Sequence, residues 1–209
     1  MQLTTTEIPT LDKQYRRNFF NTLPGPRGVH LIGTKGHKGV ENLGLFSSVV
    51  HIGATPPLLG VIVRPLTVPR HTYHHIKAKG YYTLNTIHPE ILRQAHQASA
   101  HYPIETSEFA ATGLTPWYSD AIPVPYVAES LVKIGLKWVE EHTIAANGTL
   151  FLVGEVVEVL LPDDCVSDEG HVNHELLNTL TVSGLDTYFS VEQIARLPYA
   201  NASSSAAGG

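Results

Sequence analysis

"ENLGLFSSVVHIGATPPLLGVIV", residues 41–63, holds two apolar runs separated by Gly53, Pro56 and Pro57. Runs rich in Val, Leu and Ile and bounded by glycine and proline predict buried strands over 40–52 and 58–63, with "GATPP" as the loop between them. The first run is interrupted by Asn42, Ser47 and Ser48. An amide or hydroxyl left unpaired inside an apolar strand costs about 1–3 kcal/mol. Either the protein supplies partners for these groups or a bound ligand does. In an unbroken strand Phe46 and Ser48 face one side and Ser47 the other, so both serine side chains are not expected in one pocket.

Outward from this stretch the chain stays β-rich. "VHLIGT" and "YYTLNTI" read as further strands, the latter with Asn85 as another amide inside it. "LVKIGLKWVEEHTI" and "TLFLVGEVVEVLLP" read as a pair joined through "AANGT". "RHTYHHIKAKG" predicts a short helix, with Pro69 ahead of it and Gly80 at the C-terminal cap. Helical pieces are expected at "PEILRQAHQAS", "SEFAATG" and "VEQIARL". Strands that neighbour each other in sequence, with helices inserted rather than alternating, favour one antiparallel barrel over a doubly wound sheet. Residues 1–24 are an N-terminal extension, 25–198 the domain, and 199–209 a small-residue tail expected to be disordered.

The chain has 209 residues, of which 43% are hydrophobic, enough for one substantial core. No run approaches the ~20 apolar residues of a membrane helix, and the first twenty residues carry no secretory signal pattern. A lone cysteine, Cys165, fits a reducing compartment, so a cytoplasmic protein is expected. A net charge of −5 argues against nucleic acid as a partner. The distribution says more: from Asn42 to Pro89 there is no Asp or Glu, while Arg64, Arg70, Lys77, Lys79 and five histidines fall there. Such a segment in an acidic protein suits a small anion.

Most familiar motifs are missing. "GTKGHKG" lacks the order of a phosphate loop, and there is no GxGxxG or GxSxG. His71, His74, His75 and His88 lack the spacing and companions of a zinc site, so no metal is assigned. "VPRHTYHHI" is more informative. Arg70, His71 and Thr72 stand at a helix start, where free N–H groups and a forked guanidinium suit phosphate oxygens.

Taken in order, "ENLGLFSSVV", "TPPLLGVIV", "RHTYHHIKAKGYYTLNTI", "SEF", "GTLFLVGEVVEV" and "GLDTYFS" resemble the flavin reductase-like, FMN-binding split-barrel family. The resemblance implies a mainly β fold, a six-stranded antiparallel Greek-key split β-barrel with helical insertions, forming a homodimer with one FMN per subunit. By position it implies a phosphate held by Arg70, His71 and Thr72, with His96 and Ser99 closing over it. The flavin ring would lie against Phe46, Ser47 and Ser48, with Asn42 and Asn85 among the contacts and Tyr188 brought near. One departure is that this chain has His71 and His75 where the family often has Asp or Asn.

The activity implied is that of an NAD(P)H:flavin oxidoreductase, with NADH or NADPH as a transient hydride donor and a partner oxygenase as one recipient of reduced flavin. No side-chain acid or base is assigned as catalytic. Two other readings stay open: an FMN-binding electron-transfer protein without reductase turnover, and a ligand-sensing barrel without flavin.

Overall fold

In the computed structural model of the chain, residues 1–201 are described, and the expected disordered tail lies outside them from residue 202 onward. The strands are β1 (Arg27–Gly28), β2 (His30–Lys35), β3 (Glu41–Phe46), β4 (Val49–Ala54), β5 (Pro57–Val63), β6 (Tyr81–Thr86), β7 (Pro116–Trp117), β8 (Tyr126–Val127), β9 (Lys133–Ile144), β10 (Thr149–Leu160), β11 (Leu180–Ser183) and β12 (Thr187–Ser190). The helices are α1 (Lys13–Thr22), α2 (His71–Lys79), α3 (Leu92–Gln97) and α4 (Glu108–Thr112).

The fold is mainly β, with one large antiparallel sheet in the order β3-β2-β6-β9-β10-β5-β4 and helices inserted between its strands. It has seven strands where six were expected. The long first strand anticipated over 40–52 breaks at Ser47 and Ser48 into β3 and β4, which lie at opposite edges of the sheet. Phe46 and Val49 are separated by only three Cα–Cα steps, so the two edges come within about 11 Å of each other. The sheet must therefore curl round on itself. Counted as one broken strand, β3 and β4 restore the six-strand barrel.

Hairpins join β2 to β3, β4 to β5 and β9 to β10, and the step from β5 to β6 crosses over two strands by way of α2. The β4–β5 turn is tighter than expected, with Ala54 already opposite Pro57. Pairing of β9 with β10 runs from Thr149 opposite Ile144 to Leu160 opposite Lys133, the longest ladder of the barrel.

Two apolar clusters use the two faces of the sheet. Inside the barrel Ile32, Val61, Ile76, Tyr82, Leu84, Leu136 and Leu152 pack together. On the outer face Leu31, Leu43, Ile87, Ala95, Phe109 and Val182 pack beneath α3, α4 and β11. Successive residues Leu31 and Ile32 belong to different clusters, as strand alternation requires. Burial on both faces explains why β2 reads as apolar without alternation.

Two segments differ from expectation. Residues 13–22 form α1, whose N-cap Asp12 accepts hydrogen bonds from the N–H groups of Gln14 and Tyr15. The cap offsets an otherwise polar helix, which hides it from a search for apolar periodicity. Conversely, 191–197 is not helical. Ile194 and Leu197 are 95% and 82% exposed, so no apolar face is buried to support a helix there.

Candidate functional site

Helix α2 positions the site. Pro69 precedes it, and Gly80 closes it in the left-handed conformation (φ 74°), its N–H donating to the Ile76 carbonyl at 2.8 Å. No side chain caps the other end, so the first N–H groups face outward. That end borders a cleft of about 570 Å³, between β3 and the β3–β4 break on one side and the 98–102 loop on the other.

Of the residues singled out from sequence, Asn42, Phe46, Ser47, Ser48, Arg70, His71, Thr72 and Ser99 all line this cleft. Both serines border it because the strand breaks between Phe46 and Val49, which suspends the alternation assumed for an unbroken strand. Protein groups satisfy two of the interrupting side chains. Asn42 Nδ2 donates to Thr34 Oγ1 and Thr72 Oγ1, each at 3.0 Å. Ser48 Oγ donates to the Ile62 carbonyl at 2.9 Å.

Three expected residues stand elsewhere. Asn85 is fully buried and spends its amide on the fold: Nδ2 donates to the Leu31 carbonyl (3.1 Å) and Thr83 Oγ1 (2.9 Å), and Oδ1 accepts from Val127 N–H (2.9 Å). It pins β8 to the sheet and does not line the cleft. His96 and Tyr188 are not among the lining residues either; they meet each other, His96 Nδ1 and the Tyr188 hydroxyl being 2.8 Å apart. This pair ties α3 to β12.

Arg64, from the acid-free segment, joins Arg70 in the cleft, and so do residues not singled out from sequence: Arg27, Tyr102 and Leu185. The Nε atoms of Arg27 and Arg70 are buried without a hydrogen-bond partner, and neither arginine forms an ion pair among the described residues. Arg27 does donate through one terminal nitrogen to the Asn21 carbonyl at 3.1 Å. The one signal for it in the sequence is its place in "LPGPRG", just ahead of β2.

Folding also alters the charge pattern. The segment 42–89 is free of acids, but Glu108 from α4 enters the cleft and accepts from Leu43 N–H at 3.0 Å. Burial raises this carboxyl above its ordinary pKa, and the Leu43 hydrogen bond works against that rise. Burial, with His71, His74 and His37 nearby, lowers His75 to about 4. A cleft with three arginines, an uncapped helix start and a single carboxylate can hold an anion.

A family model for the flavin reductase like domain matches residues 25–178. A crystal structure from Shewanella frigidimarina, of a split-barrel-domain protein assigned to the flavin reductases, is 44% identical and superimposes with a TM-score of 0.91 over 96% of this chain and all of that one. Nitrilotriacetate monooxygenase component B from Bacillus cereus is 21% identical, with a TM-score of 0.81 over 94% of this chain and 98% of that one. An FMN-binding protein from Thermus thermophilus is 18% identical, with a TM-score of 0.68 over 83% and 90%. The last two likenesses speak for the fold alone. With the model spanning most of the chain and the split-barrel architecture in place, this protein belongs to the flavin reductase-like family.

Proposed function

We propose that the cleft binds FMN and that the protein is an NAD(P)H:flavin oxidoreductase. The observation that carries this reading is the α2 corner, where the partnerless buried Nε of Arg70 stands beside an uncapped helix start. Leaving such donors unsatisfied is costly, and a phosphate monoester supplies enough acceptor oxygens to satisfy both. The residues present therefore fit the phosphate of FMN.

Arg70 anchors the phosphate as a forked donor, with His71 and Thr72 contributing from the first turn of α2. Phe46, Ser47 and Ser48 border the part of the cleft where a flat ring lies. Gly44 keeps that wall open: a Cβ there would stand 2.9 Å from Phe46 Cε2 and 3.1 Å from Thr72 Oγ1. The Ser48 hydroxyl hydrogen is committed to Ile62, which leaves Ser47 and the backbone of the break as donors toward the ring. When bound, FMN would supply the redox chemistry, as a hydride acceptor for NADH or NADPH and an onward electron donor. The chain binds, orients and shields it, and no side-chain acid or base is needed.

A homodimer suits the apolar residues left exposed on the sheet: Val50 and Ile52 on β4, Val139 on β9, and Val157 and Val159 on β10 are each 42–50% exposed. No helix among the described residues is long and apolar enough to cross a membrane, and a cytoplasmic setting is proposed. Reduced flavin leaving the cleft would serve a partner oxygenase.

The test is a titration of purified protein with FMN, followed by anaerobic mixing with NADH or NADPH. Flavin absorbance is expected to bleach with at least one donor. Failure to take up FMN removes the cofactor assignment. Uptake without bleaching by either nucleotide leaves an electron carrier in place of a reductase.

A further inference from the structure

Behind the first turn of α2 runs a chain of buried polar groups. Thr34, Asn42, His75 and Thr72 are all 9% exposed or less. Asn42 Nδ2 donates to both threonine hydroxyl oxygens at 3.0 Å, and Thr34 Oγ1 lies 3.3 Å from His75 Nδ1.

Donor chemistry fixes the direction of the two Asn42 bonds. The amide nitrogen is a donor only, and both its hydrogens are engaged. Each threonine oxygen is therefore an acceptor toward Asn42 and keeps one hydrogen to give. That of Thr34 can go to His75 Nδ1, 3.3 Å away, when this is the bare ring nitrogen of a neutral imidazole, the tautomer this chain of bonds requires. Burial agrees, holding His75 at about 4. The hydrogen of Thr72 finds no acceptor among the described residues, and Thr72 lines the cleft next to Arg70.

We infer that Asn42 is a positioning residue: by engaging the Thr72 oxygen from behind, it turns the Thr72 hydroxyl hydrogen into the cleft, toward a phosphate oxygen. The inference rests on the FMN reading above and changes one part of it. Asn42, expected from sequence to touch the cofactor, acts through Thr72. Thr34 and His75 hold the far end of the chain in one orientation.

The experiment compares dissociation constants for FMN and riboflavin, which lacks the phosphate, by flavin fluorescence. The variants are Thr72→Val, Thr72→Ser, Asn42→Asp and the Asn42→Asp/Thr72→Val double. Wild type is expected to prefer FMN. Thr72→Val should lose roughly tenfold of that preference, the scale of one charge-assisted hydrogen bond, with riboflavin affinity unchanged. Thr72→Ser should retain it. Asn42→Asp converts the donor into an acceptor and draws the Thr72 hydrogen inward. It should reproduce the loss, and adding Thr72→Val to it should cost nothing more.

If Thr72→Val keeps the full preference, the hydroxyl does not serve the phosphate and the inference falls while the FMN reading stands. Fully additive losses in the double variant mean that Asn42→Asp acts through its charge alone, which also overturns the positioning role. A wild type that binds FMN no better than riboflavin removes the phosphate assignment itself, and the inference with it.

Discussion

The Glu108 carboxylate accepts a hydrogen bond from Leu43 N–H at 3.0 Å, bringing an acid from α4 onto the edge strand of the barrel. Edge strands leave backbone donors unpaired, and a buried one needs an acceptor. Glu108 supplies it, at the expense of placing negative charge in a cleft otherwise suited to anions.

This double role separates two substitutions. Glu108→Ala strips the Leu43 N–H of its acceptor and should destabilise the fold by about 1–3 kcal/mol in denaturant titrations. Glu108→Gln keeps a carbonyl acceptor while removing the charge, so it should cost less stability and tighten FMN binding. Weaker FMN binding by Glu108→Gln would mean that the carboxylate itself contacts the ligand.

Arg70→Ala should weaken FMN binding by about ten- to a hundredfold, the equivalent of a charge-assisted hydrogen bond worth roughly 1.5–3 kcal/mol, and leave riboflavin binding alone. Arg27→Ala provides the contrast. A loss at Arg27 with none at Arg70, read by the same titration, would move the phosphate from α2 to β1.

Acid should destabilise the protein between pH 6.5 and about 4. Burial lowers both His30 and His75 from 6.5 to about 4 in the folded chain, His174 adding to the effect on His30. Below 6.5 the unfolded chain takes up protons that the folded one refuses, so stability falls as pH drops, by up to about 1.4 kcal/mol per pH unit for each histidine. Glu108, raised by burial, works in the opposite sense and offsets part of the loss. Thermal melts across this range should show the decline, and His75→Gln should flatten it. Melting temperatures independent of pH over that window would show that neither histidine is held neutral.

Gly60→Ala should be strongly destabilising. A Cβ at this point of β5 would penetrate the Phe151 ring lying across it from β10. Close packing leaves no room for the added carbon, and overpacking of this kind costs about 1–3 kcal/mol. Melting at the wild-type temperature would show that Phe151 can swing aside.

The α2 corner was legible because its signals are local. Pro69, the Arg70–Thr72 start and Gly80 together mark a helix and its ends through backbone chemistry confined to a dozen residues. The cleft floor was only half legible. Phe46, Ser47 and Ser48 do line it, but the break that lets them do so follows from closure of the barrel and not from any residue that commonly breaks a strand. Asn85 shows the converse: an amide inside an apolar strand signals a polar partner, without saying whether that partner is a ligand or, as here, the backbone of Leu31 and Val127.

By itself the sequence determined the strand runs, the long 131–162 hairpin, the placement of α2 and the acid-free stretch, since periodicity, caps and turns act between near neighbours. Only tertiary structure decided that β3 and β4 sit at opposite edges, that Glu108 meets Leu43 from 65 positions away, that Asn42 stands between Thr34 and Thr72, and that Arg27 faces the same cleft as Arg70. Those pairings depend on how the whole sheet curls and which surfaces it buries, a choice made by many distant contacts at once and carried by no short stretch of chain.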